Sequence, residues 1–501
     1  MSIASSKFKL SPGLALGALF ALFQALIWLR TGYYPAAASG DDLWFSESAY
    51  YLLHDGALRR PMHDDDLGSL TYDFLPPLSN LVQAGVFMIF GVTQFAMLAQ
   101  SSLWCTLISA LVFVMARVHG ADGVNAFLAS MAIYGSQIVL DVLIHVRFEQ
   151  IQFFFFLVFM ACDFAEKTSQ PSNRAMLAYR FTEGLALGAA CIAYYPMAPF
   201  VLLAGLFNYY PDKLKMDRNL AATILGGAVV GGLFLAYVAH CVTCFFYQVI
   251  VTGVSEYLAL QNLWFIFVEI PGTLFGVLSV IELFMLMGMC VFYVLQPAKR
   301  NFGMMLAVLT VPVFVYARPS QAALPIILCL IDMASADFKE RTRLFRFFVG
   351  VMAVIGLGKV SLVAATAYIQ REGRDYRHVE RALAGLRIGP DDLVATTGQA
   401  WLALRPRLAH DQLHHLIDAE VPDAHISSSK ILFSDELETK LRYVIVLNGM
   451  IDVVRASYPV LDRMFVSGRL RRAFEVRPPF QDLPWAQTSP YHLIVYEAVR
   501  P

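Results

Sequence analysis

Charge is what this chain has little of. Asp, Glu, Lys and Arg make up 15% of its 501 residues, and 57% of the chain is hydrophobic. A soluble globular domain carries about 25% charged residues, so the shortfall excludes a surface solvated by water all round. The net charge is −1, which gives a polyanion no footing, and no nucleic-acid partner is expected. Cysteine does not occur after Cys329, so the C-terminal part holds no disulfide whichever compartment it faces. Cys241 and Cys244 form a CxxC on an apolar helix end with no redox setting around it, and read as packing residues. There is no internal repeat, no low-complexity tract and no Gly-rich nucleotide loop. The missing repeat argues against the paired halves of a secondary transporter or flippase, which stays the alternative reading.

Long apolar runs are what the chain does have. The run over 220–238 is wide enough to cross roughly 30 Å of hydrocarbon. The apolar stretch over 14–29 is too long for a signal-peptide core and reads as a first membrane span. Apolar segments predict about eleven spanning helices, near 11–30, 95–116, 122–141, 150–165, 181–194, 197–210, 219–246, 268–295, 302–317, 320–336 and 344–368. The break at Tyr194, Tyr195 and Pro196 also fits one long kinked helix. Residues 76–90 are apolar but short and entered through two prolines, which predicts a helix along the interface.

Charge sets the orientation. With the N-terminus inside, Lys7, Lys9, Lys213, Lys215, Arg218, Lys339, Arg341, Arg343 and Arg346 all fall on cytoplasmic segments. Outer segments ahead of the tail hold only Arg30, Arg59, Arg60, Arg147 and Arg318. That is the positive-inside bias, and making 76–90 a span would invert it. An odd number of spans puts the C-terminus outside. From about residue 370 the chain is richer in charge, with predicted strands at 393–397, 443–447 and 491–498 and predicted helices near 376–386 and 412–420. The expected architecture is a transmembrane domain over 1–369, with a first outer loop over 31–94, and a small α/β domain over 370–501 on the outer face.

The first outer loop is dense in carboxylates, among them Asp41, Asp42, Glu47, Asp55, Asp64, Asp65, Asp66 and Asp73. Residues 43–53 have helical spacing, so Asp41 and Asp42 sit where a helix begins, a position that stabilises negative charge. The plain reading is an N-cap followed by a solvated acidic loop. A second group, Asp141, His145, Arg147 and Glu149, lies near the outer surface after the third span, where ionisable groups are costly unless solvated, paired or used. An Arg147–Glu149 pair anchoring a helix end is the plain reading there.

The order Asp41, Asp42, Phe45, Glu47, Ala49, Leu52, Leu53, Gly56, Pro76, Pro77, Leu78, Phe90 and Gly91 resembles the first periplasmic loop of the GT-C glycosyltransferases. The similarity is to the bacterial aminoarabinose transferases and the protein O-mannosyltransferases. The resemblance implies a polytopic α-helical membrane protein of GT-C type, with interfacial helices in the first outer loop, placed in a bacterial inner membrane with its site on the periplasmic side. The lack of a glycosylation sequon or a retrieval signal agrees with that compartment. It further implies an inverting transfer of a sugar from a polyprenyl-phosphate donor to a lipid, glycan or protein acceptor. Carried over by position, Asp41 becomes the general base with Asp42 next in line, and Glu47 is a substrate-binding candidate. Glu149 and Arg147 would help place a substrate, and Glu256 and Tyr257 would line the acceptor side. In the segment VYARPSQAALP, Arg318 would neutralise the leaving phosphate with Tyr316 beside it, and Arg59 and Arg60 are weaker phosphate candidates. A divalent cation is compatible with the reaction, but no ligand spacing identifies a metal site. The relatives' Lys-Gly-Pro turn is replaced by Tyr194, Tyr195 and Pro196, which leaves more of the neutralisation to Arg318. Lys359, inside the last apolar run, has no partner legible in the sequence.

Overall fold

The computed structural model describes residues 12–33, 40–59, 77–169, 172–209, 217–246, 274–315, 319–335, 342–409, 412–416, 439–478, 483 and 491–499. The membrane part begins with α1 (Pro12–Tyr33), the loop helices α2 (Gly40–Asp55) and α3 (Pro77–Phe90), and α4 (Gln94–Val118). Then follow α5 (Gly123–Ala132), α6 (Gln137–Ile144), α7 (Phe148–Ser169), α8 (Asn173–Ala193), α9 (Ala198–Tyr209), α10 (Arg218–Val238) and α11 (Val242–Phe246). The last are α12 (Leu274–Val294), α13 (Arg300–Val315), α14 (Ala323–Ala334) and α15 (Thr342–Ile369). Several begin at side-chain caps that satisfy first-turn N–H groups: Thr93 Oγ1 accepts from Ala96 N, Asp122 from Asn125 N, and Asp217 from Asn219 N and Leu220 N. Gly56 and Gly91 close α2 and α3 at φ 70° and 73°, each returning its N–H to a carbonyl four residues back. That left-handed geometry favours glycine and accounts for two positions of the loop pattern.

Among the described residues, six helices are long and apolar enough to cross a membrane, or eight if each of two bent pairs counts as one span. Shorter apolar helices cover Pro77–Phe90, Leu278–Val294 and Pro319–Ala334. The expected run of about eleven spans is thus met by fewer full-length helices: among the described residues the five expected at 122–141, 181–194, 197–210, 268–295 and 320–336 are broken or short. The single helix expected over 122–141 is two, α5 and α6, meeting at 73°. Ser136 starts α6 by capping Val139 N, and Gly135 lies so close to the Met352 carbonyl that a Cβ there has no room. At Tyr194 the chain becomes extended and the direction changes by 120° into α9. Side chains such as Leu233, Leu235, Phe347 and Val354 are each 67–70% exposed and point outward, the inverse of a water-soluble helix bundle. The 14 residues of α3 reach about 21 Å, too short to span. One face is buried and the other exposes Leu81, Met88, Ile89 and Phe90.

Glycine lets α8 and α10 pack backbone to backbone. A Cβ on Gly184 would run into the Thr223 carbonyl, and one on Gly226 into the Phe181 carbonyl. Gly184→Ala is therefore expected to cost about 1–3 kcal/mol through overpacking. It should lower the thermal midpoint of the detergent-solubilised protein. Gly232→Ala, with nothing within 4 Å of the added carbon, should not.

The C-terminal part holds five strands: β1 (Leu393–Thr396), β2 (Leu413–His415), β3 (Leu441–Leu447), β4 (Leu470–Val476) and β5 (Leu493–Ala498). They form one sheet in the order β2-β1-β3-β5-β4, parallel across β2, β1 and β3 and antiparallel from β3 to β4. The three expected strands are present. The helix expected near 412–420 is instead strand β2 where it is described, its short apolar run taken up by pairing with β1. Helix α16 (Arg371–Arg374) follows the last span, then α17 (Arg377–Ala384), α18 (Trp401–Leu404), α19 (Ile451–Ser457) and α20 (Pro459–Val466). Strand alternation divides the sheet between two cores. Tyr443, Ile445, Leu493 and Val495 pack with α17, α18, α2 and α3. Val444, Val446 and Ile494 pack with α19 and α20. One face of the sheet therefore shares a core with α2 and α3, the helices of the first loop.

His378, on α17, is half-buried, and burial pushes its imidazole below the ordinary 6.5. The unfolded chain then binds the proton more tightly than the folded one. Stability present above about pH 6.5 is lost as pH falls through the lower folded value. Unfolding of the C-terminal part, followed by tryptophan fluorescence, should show that acid slope, and His378→Gln should flatten it.

Candidate active site

The site is built on the turn between α6 and α7. A short helix ends there, so its last carbonyls need partners other than its own backbone. Gln150 Nε2 reaches the Val142, Leu143 and His145 carbonyls at 2.8, 3.0 and 2.7 Å. Ser101 Oγ donates to Leu143 O at 2.6 Å, and the Arg30 guanidinium donates to Ile144 O. With the carbonyls occupied, the turn still presents the Val146 N–H. Asp42 takes it: its Oδ1 accepts from Val146 N at 2.7 Å, and its Oδ2 lies 3.4 Å from His145 Nδ1. Asp42 is 1% exposed and sits in the first turn of α2, where the helix N-terminus favours a carboxylate. Two elements more than 100 residues apart in the chain are thus tied by one carboxylate.

Glu47 follows on α2 and is fully buried, as is Ser46, whose Oγ donates to Asp42 O at 2.7 Å. Glu149 is buried in the first turn of α7, Arg147 is half-buried, and Asp141 on α6 keeps an accessible side chain. Arg59 lies four residues beyond the end of α2, 3.9 Å from Asp55. The Asp41 side chain, Arg60, Glu256, Tyr257, Tyr316 and Arg318 lie outside the described residues. The segment that follows Arg318, Pro319–Ala322, packs on α6, and Gln321 Nε2 donates to the Tyr194 hydroxyl at 3.0 Å. Among the described residues no group of three or more His, Cys, Asp or Glu side chains is placed to hold a metal ion. Cys241, read from the sequence as a packing residue, is disulfide-bonded.

The outward face of α2 is covered by the C-terminal part, which the sequence did not foretell. Tyr50 meets the Trp401 indole edge-to-face at 5.6 Å, and the Arg405 guanidinium lies 5.4 Å from the centre of the Tyr51 ring. Burial pushes the Tyr51 hydroxyl well above its ordinary value, the Glu47 charge adding to the effect and Arg405 opposing it. Trp401 and Arg405 stand in a stretch with no motif, so no sequence signal marks them. Arg30 and Gln150 appear in the sequence only as an outer charge and a polar residue on an apolar span.

No family model matches the chain, and no curated protein matches it by sequence. Solved structures do match by fold. The crystal structure of ArnT from Cupriavidus metallidurans bound to undecaprenyl phosphate has a TM-score of 0.56 at 11% identity, covering 96% of this chain and 98% of that one. The archaeal oligosaccharyltransferase AglB from Archaeoglobus fulgidus, in complex with an inhibitory peptide and a dolichol-phosphate, has a TM-score of 0.51 at 12% identity, covering 93% and 73%. With its apolar exterior and near-full overlap with these transferases, the chain is a multi-pass membrane protein with the fold of the GT-C glycosyltransferases.

Proposed function

We propose that the protein transfers a sugar from a polyprenyl-phosphate carrier to an acceptor on the outer face of a bacterial inner membrane. The transferring unit would be residues 1–369, and residues 370–501 a periplasmic domain that closes over its first loop. The observation that carries this reading is the buried Asp42 carboxylate, which ties the first loop to the α6–α7 turn of a GT-C fold. Both fold relatives were solved with a polyprenyl-type lipid phosphate in place. Asp42 has its oxygens occupied and is closed to solvent, which suits an anchor for the first turn of α2. Its neighbour Asp41 is then the base. An acceptor hydroxyl or amine attacks C1 of the sugar, its proton passes to the Asp41 carboxylate, and the C1–O bond breaks to release the lipid phosphate with inversion at C1. Arg318, one residue before a segment packed on α6, is assigned to the phosphate charge that develops.

One observation favours the alternative, a transporter for a lipid-linked or polar substrate. The broken α5–α6 span has Glu282 and Lys359 beside it, and broken spans with ionisable residues are a transporter device. Incubating the purified protein with labelled polyprenyl-phosphate sugars and a panel of lipid, glycan and peptide acceptors separates the two. The transferase reading expects label on an acceptor with release of the carrier phosphate. Carrier-sugar movement across proteoliposomes without bond cleavage would overturn it.

A further inference from the structure

Beneath the Asp42 site lies a polar chain inside the membrane part, drawn from α6, α12 and α15. Glu282 on α12 reaches the start of α6, where its carboxylate accepts from Ser136 Oγ at 2.7 Å, Gln137 N at 2.8 Å and Ile138 N at 3.4 Å. Lys359 on α15 donates to Gly135 O at 2.9 Å and Gln137 Oε1 at 3.1 Å. Gln137 in turn donates through Nε2 to Asp141 Oδ1 at 2.8 Å. Lys359 thus has the partners that the sequence could not name. It comes this close because two glycines let α15 lie against the break: a Cβ on Gly356 would meet Met131 O at 2.6 Å and Gly135 N at 2.8 Å.

A charge in the apolar interior is costly unless something needs it there. The geometry shows what needs it. Helix α6 has only eight residues, too few to hold a fixed direction by itself. Its first N–H groups are pinned by Glu282, the carbonyl before it by Lys359, and its far end carries His145 and Val146, the groups that hold Asp42. We infer that Glu282 and Lys359 are positioning residues that aim α6, and through it the α6–α7 turn, at the carboxylate of the first loop. They touch neither substrate nor reacting atoms. The starting end of the strut is fixed by two partners of opposite character, a carboxylate on N–H groups and an ammonium on a carbonyl. Removing either one frees the helix to tilt at the break.

The structural arm of this inference stands alone, and its kinetic arm rests on the transferase reading. Hydrogen exchange on the full-length protein in nanodiscs tests the first. In Glu282→Ala and Lys359→Met, amides over 137–148 should exchange about tenfold faster, while those of β3 and β5 stay as in wild type. Lys359→Arg, which keeps a cation able to reach Gly135 O, should restore protection. In the transfer assay the two variants should lose kcat with little change in the KM for the lipid donor, which a general loss of folded protein would not produce. Unchanged exchange over 137–148, or loosening spread evenly over all spans, would overturn the inference. Local loosening together with a wild-type protein that transfers no sugar upholds the strut and removes the transferase reading instead.

Discussion

Asp41→Asn is expected to lower sugar transfer by about 10²–10⁴-fold, the range over which a positioned general base contributes. The amide keeps the shape of the side chain and cannot take the acceptor proton, so KM for the donor should move little. Asp42→Asn is expected to behave differently. It retains an oxygen that can accept from Val146 N–H, and it loses the charge that the first turn of α2 and His145 share. Its rate should fall because α2 is held less firmly, and its pH profile should keep the limb set by the base. Asp42→Ala leaves the buried Val146 N–H without its acceptor, at a cost of about 1–3 kcal/mol. Initial rates across pH, measured at equal membrane abundance, separate these cases. Transfer by Asp41→Asn at the wild-type rate would remove the base assignment. Loss of the same pH limb in Asp42→Asn and its retention in Asp41→Asn would exchange the two roles.

What made the fold legible was its solvent. Apolar runs and the compositional shift near residue 370 follow from the membrane, and both can be read without coordinates. The loop pattern was legible as well, because Gly56 and Gly91 are demanded by left-handed caps and Asp42 by a helix start. The break in the third apolar segment was not. Gly135 and Ser136 mark it only faintly, since both residues also occur inside membrane helices; what bends the chain is Glu282, 145 residues from Gln137, whose N–H it takes. Strand β2 was hidden for the same kind of reason. Leu413, His414 and His415 become a strand because β1 lies open beside them, and a run that short has no period of its own. The partners of Lys359 and the covering of α2 by Trp401 are contacts between distant elements, and no local pattern carries them.

That covering leads to the second large effect. Trp401 is fully buried in the core that joins the sheet to the first loop, against Tyr50 of α2. Trp401→Ala is expected to cost about 3–5 kcal/mol, the usual range for emptying a buried aromatic site. The loss should appear on both sides of the contact. The C-terminal sheet would lose part of its inner core, and α2 would lose the ring that packs on Tyr50. Transfer should therefore fall even though residue 401 lies far along the chain from the acidic pair. Trp401→Phe refills most of the volume and gives up no acceptor found for the indole N–H among the described residues, so it should recover most of the stability and rate. Thermal unfolding with transfer rates measured on the same preparations checks this. If the C-terminal part loosened in Trp401→Ala while transfer stayed at the wild-type rate, the sheet would be only a neighbour of the first loop. If rate and stability fall together and return with Phe, the sheet is the outer wall that keeps α2, and with it the acidic pair, facing the α6–α7 turn.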